Sequence, residues 1–249
     1  MPDDKSSDIE PVDIDFTTTH VPLSARKNLI SIISVLLGFT FLSTTMLAGA
    51  TIGTAFQFSE LISLLLIGNL ILAVYVAFLS GIAAKTGLNS ILLARYALGK
   101  FGSKWADIML GGTQIIWFAV QTAYLSTLFC EVLGLENYLI PVTIFWGVLT
   151  GFSALRGTRG MEIVSFLAIP PFLILAVAIP LFGADKVGGF ANLMLIEPTT
   201  VLSTSTALSM IIGAFISGGT NSPNWSRFAK TPKTGVLAGF SSFMAAIPA

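Results

Sequence analysis

Long apolar runs separated by short polar or charged stretches make up most of the chain. A helix needs about 20 apolar residues to cross the hydrocarbon of a bilayer. Five runs reach or approach that length: Leu29 to Ile52, Leu61 to Ala84, Ala106 to Leu133, Tyr138 to Leu155 and Ile163 to Phe182. Their internal Gly and Pro fit spans, because membrane helices tolerate both better than soluble helices do. A sixth run, Ala207 to Thr220, stops at the polar break Asn221, Ser222, Pro223, Asn224, and a seventh runs from Gly235 to the chain end at Ala249. The pattern predicts an all-α polytopic membrane protein.

The segments between the runs carry their own signals. Residues 1–25 open with Asp3, Asp4, Asp8, Glu10, Asp13 and Asp15 against Lys5. Such a run has too little apolar surface to offset the entropy of ordering and reads as a disordered acidic tail. A cleaved secretory signal opens with positive charge and leads straight into an apolar core, so the first span is expected to be retained. Asn89 to Leu98 predicts a short amphipathic helix, with Asn89 or Ser90 as its cap and Leu92, Leu93 and Tyr96 facing inward. The stretch from Gly183 to Thr206 is long for a connection; it either lies over an entrance or is a solvated linker.

Charge gives the orientation. Of the thirteen Lys and Arg, all but Lys186 fall in the tail or in alternate loops: Arg26 and Lys27; Lys85 to Lys104; Arg156 and Arg159; Arg227 to Lys233. Positive residues gather on the cytoplasmic side, so the amino terminus is expected there. Composition agrees with a lipid environment: 54% of residues are hydrophobic, mean hydropathy is +0.84, and only 10% are charged. Thirteen acids balance the thirteen bases. With no net positive field to hold phosphates, nucleic acid is an improbable partner. Cys130 is the single cysteine and reads as a buried packing residue, while His20, the single histidine, lies in the tail. Together they are too few for the usual transition-metal ligand sets.

Chemistry is sparse but localised. The first run contains Gly38 through Thr45, followed by Gly49 and Gly53, and the sixth contains Gly213 through Thr220. With one residue gapped, Gly38, Phe41, Leu42 and Ser43 align with Gly213, Phe215, Ile216 and Ser217. Paired Gly-interrupted spans suggest a transporter site, where unwound backbone exposes carbonyls and amides; close helix packing through small residues is the alternative. In the third run, Gln114, Trp117 and Gln121 fall on one helical face. Two amides beside an indole offer a stacking surface next to hydrogen-bonding groups, which suits a planar polar heterocycle. No span interior holds an ionisable residue of the kind proton relays use. Sodium held by carbonyls and hydroxyls is therefore the easier coupling ion, with a proton as the alternative.

The blocks SARKN (Ser24 to Asn28), Leu36 to Thr54, Leu66 to Leu72, Ala83 to Gly99, GGTQIIWF (Gly111 to Phe118), GAFISGGT and SRF (Ser226 to Phe228) occur in one order along the chain. In these the sequence resembles the nucleobase-cation symporters, most closely the bacterial cytosine permeases among them. The resemblance implies a leucine-transporter-like inverted-repeat fold. Residues 26–183 would form the first five-helix repeat, 184–206 an external loop, and 207–249 the start of the second repeat, with broken helix six and part of helix seven. It further implies a nucleobase stacked between Trp117 and Phe215, polar partners Gln114 and Ser217, and sodium bound by backbone oxygens of Gly38 and Phe41. Helix eight, which completes that ion site in similar proteins, lies beyond this sequence. Asn224 stands where family members often carry an acid, which bears on the charge pairing of Arg227.

The expected function is secondary active import of cytosine or a related nucleobase across the inner membrane, by sodium symport with alternating access. A non-transporting truncated fragment is one alternative; a purine, hydroxymethylpyrimidine or hydantoin as substrate is the other. No catalytic residue is expected, the partners are a small nucleobase and the bilayer, and a missing C-terminal half is expected for function.

Overall fold

A computed structural model of the chain describes residues 19–40, 43–155 and 157–245. Ten α-helices occur among them: α1 (Leu29–Thr40), α2 (Ser43–Gly53), α3 (Phe58–Thr86), α4 (Ser90–Leu133), α5 (Leu139–Ala154), α6 (Gly157–Lys186), α7 (Phe190–Leu193), α8 (Thr204–Asn221), α9 (Pro223–Ser226) and α10 (Pro232–Met244). Short 3-10 turns sit at Leu23–Ala25 and Glu136–Tyr138.

The first predicted span is divided. Leu29–Thr40 and the Thr45–Gly53 part of α2 meet at 58°. The second, third and fifth spans are the long helices α3, α4 and α6, each long and apolar enough to cross a membrane. At a rise of about 1.5 Å per residue, the 29 residues of α3 more than cover a hydrocarbon core of about 30 Å. The fourth, expected from Tyr138 to Leu155, is the 16-residue α5, which Leu135 and the Glu136–Tyr138 turn shorten at its start. Pro170, Pro171 and Pro180 lie inside α6 without ending it.

Asn89 caps α4, its Oδ1 accepting the Leu92 N–H at 2.8 Å. Gly99, at φ 70° and ψ −177°, interrupts the helix, so residues 90–98 form a separate short helix before the span. Leu92 and Leu93 are half-buried as expected, but Tyr96 is 84% exposed and does not face inward. Three apolar positions do not fix which side of a short interfacial helix meets protein.

Of the expected tail, residues 1–18 lie outside the described residues. Its last part is packed: Val21 is buried, donates its N–H to Gly87 O at 3.0 Å, and joins Ile32, Leu36, Ala84 and Phe228 in a core cluster. The end of the expected tail is thus packed on the bundle, and the 3-10 turn Leu23–Ala25 leads from it toward α1. Beyond it, an isolated parallel bridge joins Lys27 to Ala229.

The most extensive helix–helix contact among the described residues is between α3 and α10. A methyl group on Gly235 would meet Ser80 O at 2.5 Å, and one on Gly239 would meet Ser80 Oγ at 2.8 Å. These glycines are four apart on one face, so the two backbones approach closely without lipid-driven burial, through van der Waals contact.

Candidate functional site

A cavity of about 260 Å³ lies between the last turn of α1, the middle of α4 and α8. Its walls are Phe39, Gln114, Trp117, Phe118, Gln121, Ala214, Phe215, Ser217 and Gly218. The α4 residues fall at steps of three and four, so helical periodicity alone aims them at one space. All four residues expected to bind substrate, Gln114, Trp117, Phe215 and Ser217, meet here.

The aromatic walls are held from behind. Phe215 is buried and packs edge-on against Phe243 of α10, with centroids 5.9 Å apart and planes at 76°. Phe39 lies against Trp225 at 4.9 Å and its ring covers Gly218, where a side chain would collide with it. The amide Nε2 of Gln114 is shut off from solvent and has no hydrogen-bond partner among the described residues. A buried donor left unpaired costs about 1 to 3 kcal/mol, so it is poised to pair with an acceptor in the cavity. No wall residue is ionisable. The site therefore suits a small, neutral, planar molecule with hydrogen-bonding edges, and its volume is near the small end of ligand pockets.

One turn beyond Ser217, polar contacts lock α8 to its neighbours. Tyr75 Oη and Thr220 Oγ1 are 2.8 Å apart, and Ser90 Oγ donates to Thr220 O at 2.9 Å. Asn224 Oδ1 accepts the Ser90 N–H at 3.1 Å, so the residue standing in place of an acid caps the start of α4. Arg227 is buried; its Nε donates to Asn224 O at 3.3 Å and its guanidinium lies 4.9 Å over the Phe228 ring. Arg26 donates Nη1 to the carbonyls of Ala84 and Ala229, and Lys27 pairs with Glu162 at 2.9 Å, where Ser31 also donates. These contacts tie together elements at the end of the bundle that holds the basic loops.

Gly38 lies in the last turn of α1 and packs directly on Ser165 of α6; Phe41 lies outside the described residues. Helix six is not unwound through its glycines: α8 runs unbroken from Thr204 to Asn221. Its interruption comes at Ser222, before Pro223, whose missing N–H starts a new helix more easily than it extends an old one. Gly218 and Gly219 serve contact, receiving Phe39 and Val76.

Phe39, Phe118, Ala214 and Gly218 line the cavity without having been singled out in the sequence, and Gln121 joins it, as its place on the face of Gln114 and Trp117 suggested, although the family resemblance implied no role for it. Phe118 was within reach, four residues after Gln114 on the same face. A larger, mainly apolar cavity of about 450 Å³ adjoins the first, sharing Ala214 and Phe215.

The helical bundle with a divided first span and a cavity between its first, third and sixth spans is that of a membrane transporter of the leucine-transporter-like class. In structure the chain is similar to Mhp1, a nucleobase-cation-symport-1 family transporter solved in a closed conformation with bromovinylhydantoin bound, with a TM-score of 0.82 at 16% identity over 94% of this chain and 55% of that one. In sequence it is similar to the cytosine permeases of Escherichia coli K12 and O157:H7, at 35% identity over 93% of the chain. The model of the permeases for cytosine/purines, uracil, thiamine and allantoin matches residues 20–247. The chain belongs to that permease family, a family of transporters rather than enzymes. It spans about half the length, 55%, of the curated relatives it matches.

Proposed function

We propose that this chain is the substrate-recognising part of an inner-membrane permease that imports cytosine or a related nucleobase. One observation carries the reading: Gln114, Trp117, Phe215 and Ser217 converge on a single uncharged cavity. The base stacks between Trp117 and Phe215, Gln114 meets its hydrogen-bonding edge, and the Ser217 hydroxyl offers a second contact. Stacking is tolerant of ring identity, so the edge facing Gln114 and Gln121 selects cytosine over a purine, hydroxymethylpyrimidine or hydantoin.

Transport proceeds by alternating access, with the ligand shifting the population toward an occluded state. The gathering of basic residues in alternate loops supports an amino terminus on the cytoplasmic side, where Lys27 pairs with Glu162. Sodium is the coupling ion, held in part by backbone oxygens of Gly38 and Phe41 and completed by groups from the remaining length of a full permease.

The test is uptake of radiolabelled cytosine, with and without a sodium gradient, in cells lacking their own permease. They express either this chain or this chain joined to the remaining part of the Escherichia coli cytosine permease. Sodium-dependent uptake by the joined protein is expected. No uptake of cytosine by either, with both in the membrane, overturns the substrate assignment; uptake indifferent to sodium overturns the coupling.

A further inference from the structure

The segment around Gly99 has no part in the nucleobase site. Between Glu60 and Asp107 the sequence contains no acid, yet it holds Lys85, Arg95, Lys100 and Lys104. Arg95, Lys100 and Lys104 are all exposed. Interleaved with them are Tyr96, Phe101 and Trp105, exposed by 84%, 77% and 60%. Exposed aromatics of that size are unfavourable in water, but at the level of lipid headgroups Tyr96 and Trp105 can sit with an apolar body in the acyl region and a polar edge outside, while Phe101 adds a wholly apolar ring. The backbone fits this depth: the positive φ of Gly99 turns residues 90–98 off the axis of the helix that follows, ahead of the apolar run that begins at Ala106.

Beside this stripe is a cleft of about 530 Å³. His20 and Arg95 supply its polar wall, while Leu88, Leu92 and Tyr96 supply an apolar one. A cationic wall beside an apolar one matches an amphiphile with a negative head.

We propose that this cleft and the adjoining stripe bind an anionic phospholipid, its phosphate beside Arg95 and His20 and its acyl chains along Tyr96, Phe101 and Trp105. Lys100 and Lys104 add attraction to neighbouring anionic headgroups. Near a charged bilayer each cation contributes about a fivefold preference, so three together give about a hundredfold. The site is independent of the nucleobase reading, since it concerns how the chain sits in lipid.

The probe is phosphatidylglycerol, compared with phosphatidylcholine and with inorganic phosphate. Lipid retained by the purified chain is measured by native mass spectrometry and by the shift in unfolding temperature in detergent. Phosphatidylglycerol is expected to be retained and to stabilise, and phosphatidylcholine and phosphate to do neither. The exposed triple variant Arg95→Gln, Lys100→Gln, Lys104→Gln should unfold at the unchanged temperature without lipid and lose about a hundredfold in phosphatidylglycerol affinity. Tyr96→Ala, also at an exposed position, should lose part of it. Equal retention of phosphatidylcholine, or the same shift from phosphate alone, overturns the proposal. So does undiminished binding by the triple variant.

Discussion

Replacing Gln114 by Leu separates the cost of holding an unpaired amide from the benefit of using it. In the free protein the Gln114 Nε2 is buried without a partner among the described residues. Leu fills a similar volume and has nothing to desolvate, so the variant is expected to be as stable as the parent or more so. If half of the usual penalty of about 1 to 3 kcal/mol is recovered, the unfolding temperature rises by about 1 to 6 °C for a chain of this length. Binding moves the other way. A lost hydrogen bond with its acceptor left unpaired costs about 1 to 3 kcal/mol, which weakens cytosine binding about fivefold to 150-fold. Thermal unfolding in detergent and calorimetric titration of the same samples read both quantities. A fall of several degrees together with unchanged affinity would refute the reasoning, because Gln114 would then be a structural residue.

Trp117→Ala removes one stacking wall, and a loss of at least about 1 to 3 kcal/mol in nucleobase binding is expected, with Trp117→Phe retaining most of it; titration of the purified variants decides. Gly235→Ala places a methyl 2.5 Å from Ser80 O, and the forced separation of α3 and α10 should destabilise by about 1 to 3 kcal/mol, read as a lowered unfolding temperature. Asn224→Ala deprives the Ser90 N–H of its acceptor and should cost about 1 kcal/mol; Asn224→Asp keeps an acceptor there, beside Arg227, and should unfold no earlier than the parent.

The spans were legible because lipid imposes one rule on long apolar runs, and the rule depends on no partner. Asn89 was legible as a cap for a similar reason: its side chain serves its own helix. What depended on distant partners was not. The glycines of α8 suggested unwinding, yet Gly218 and Gly219 make room for Phe39 and Val76, residues far away in the chain. Gly99 carries the one sharp turn within α4 and has no neighbour pattern that distinguishes it from Gly102 three residues later. Val21 is a single apolar residue after a polar run, and it takes its place from Gly87, Ala84 and Phe228, which the fold brings to it. The convergence on α4 was legible because three polar and aromatic positions share a face, and the fold turns that face to one cavity. Phe39 was missed because its place in the wall is fixed by Trp225 and Gly218, which only the fold brings near.

The close seat of Ser80 has a consequence for biosynthesis. Its hydroxyl donates to Ser222, 142 residues later, and its other close neighbours, Gly235 and Gly239, emerge later still. At a synthesis rate of about 5 to 20 residues per second, α3 waits about 7 to 30 s in the membrane before those partners arrive. For that interval its seam of small residues faces lipid instead of helix. The finished contact is among the tightest in the molecule, and the half-made chain is exposed along that same seam while the ribosome is still at work.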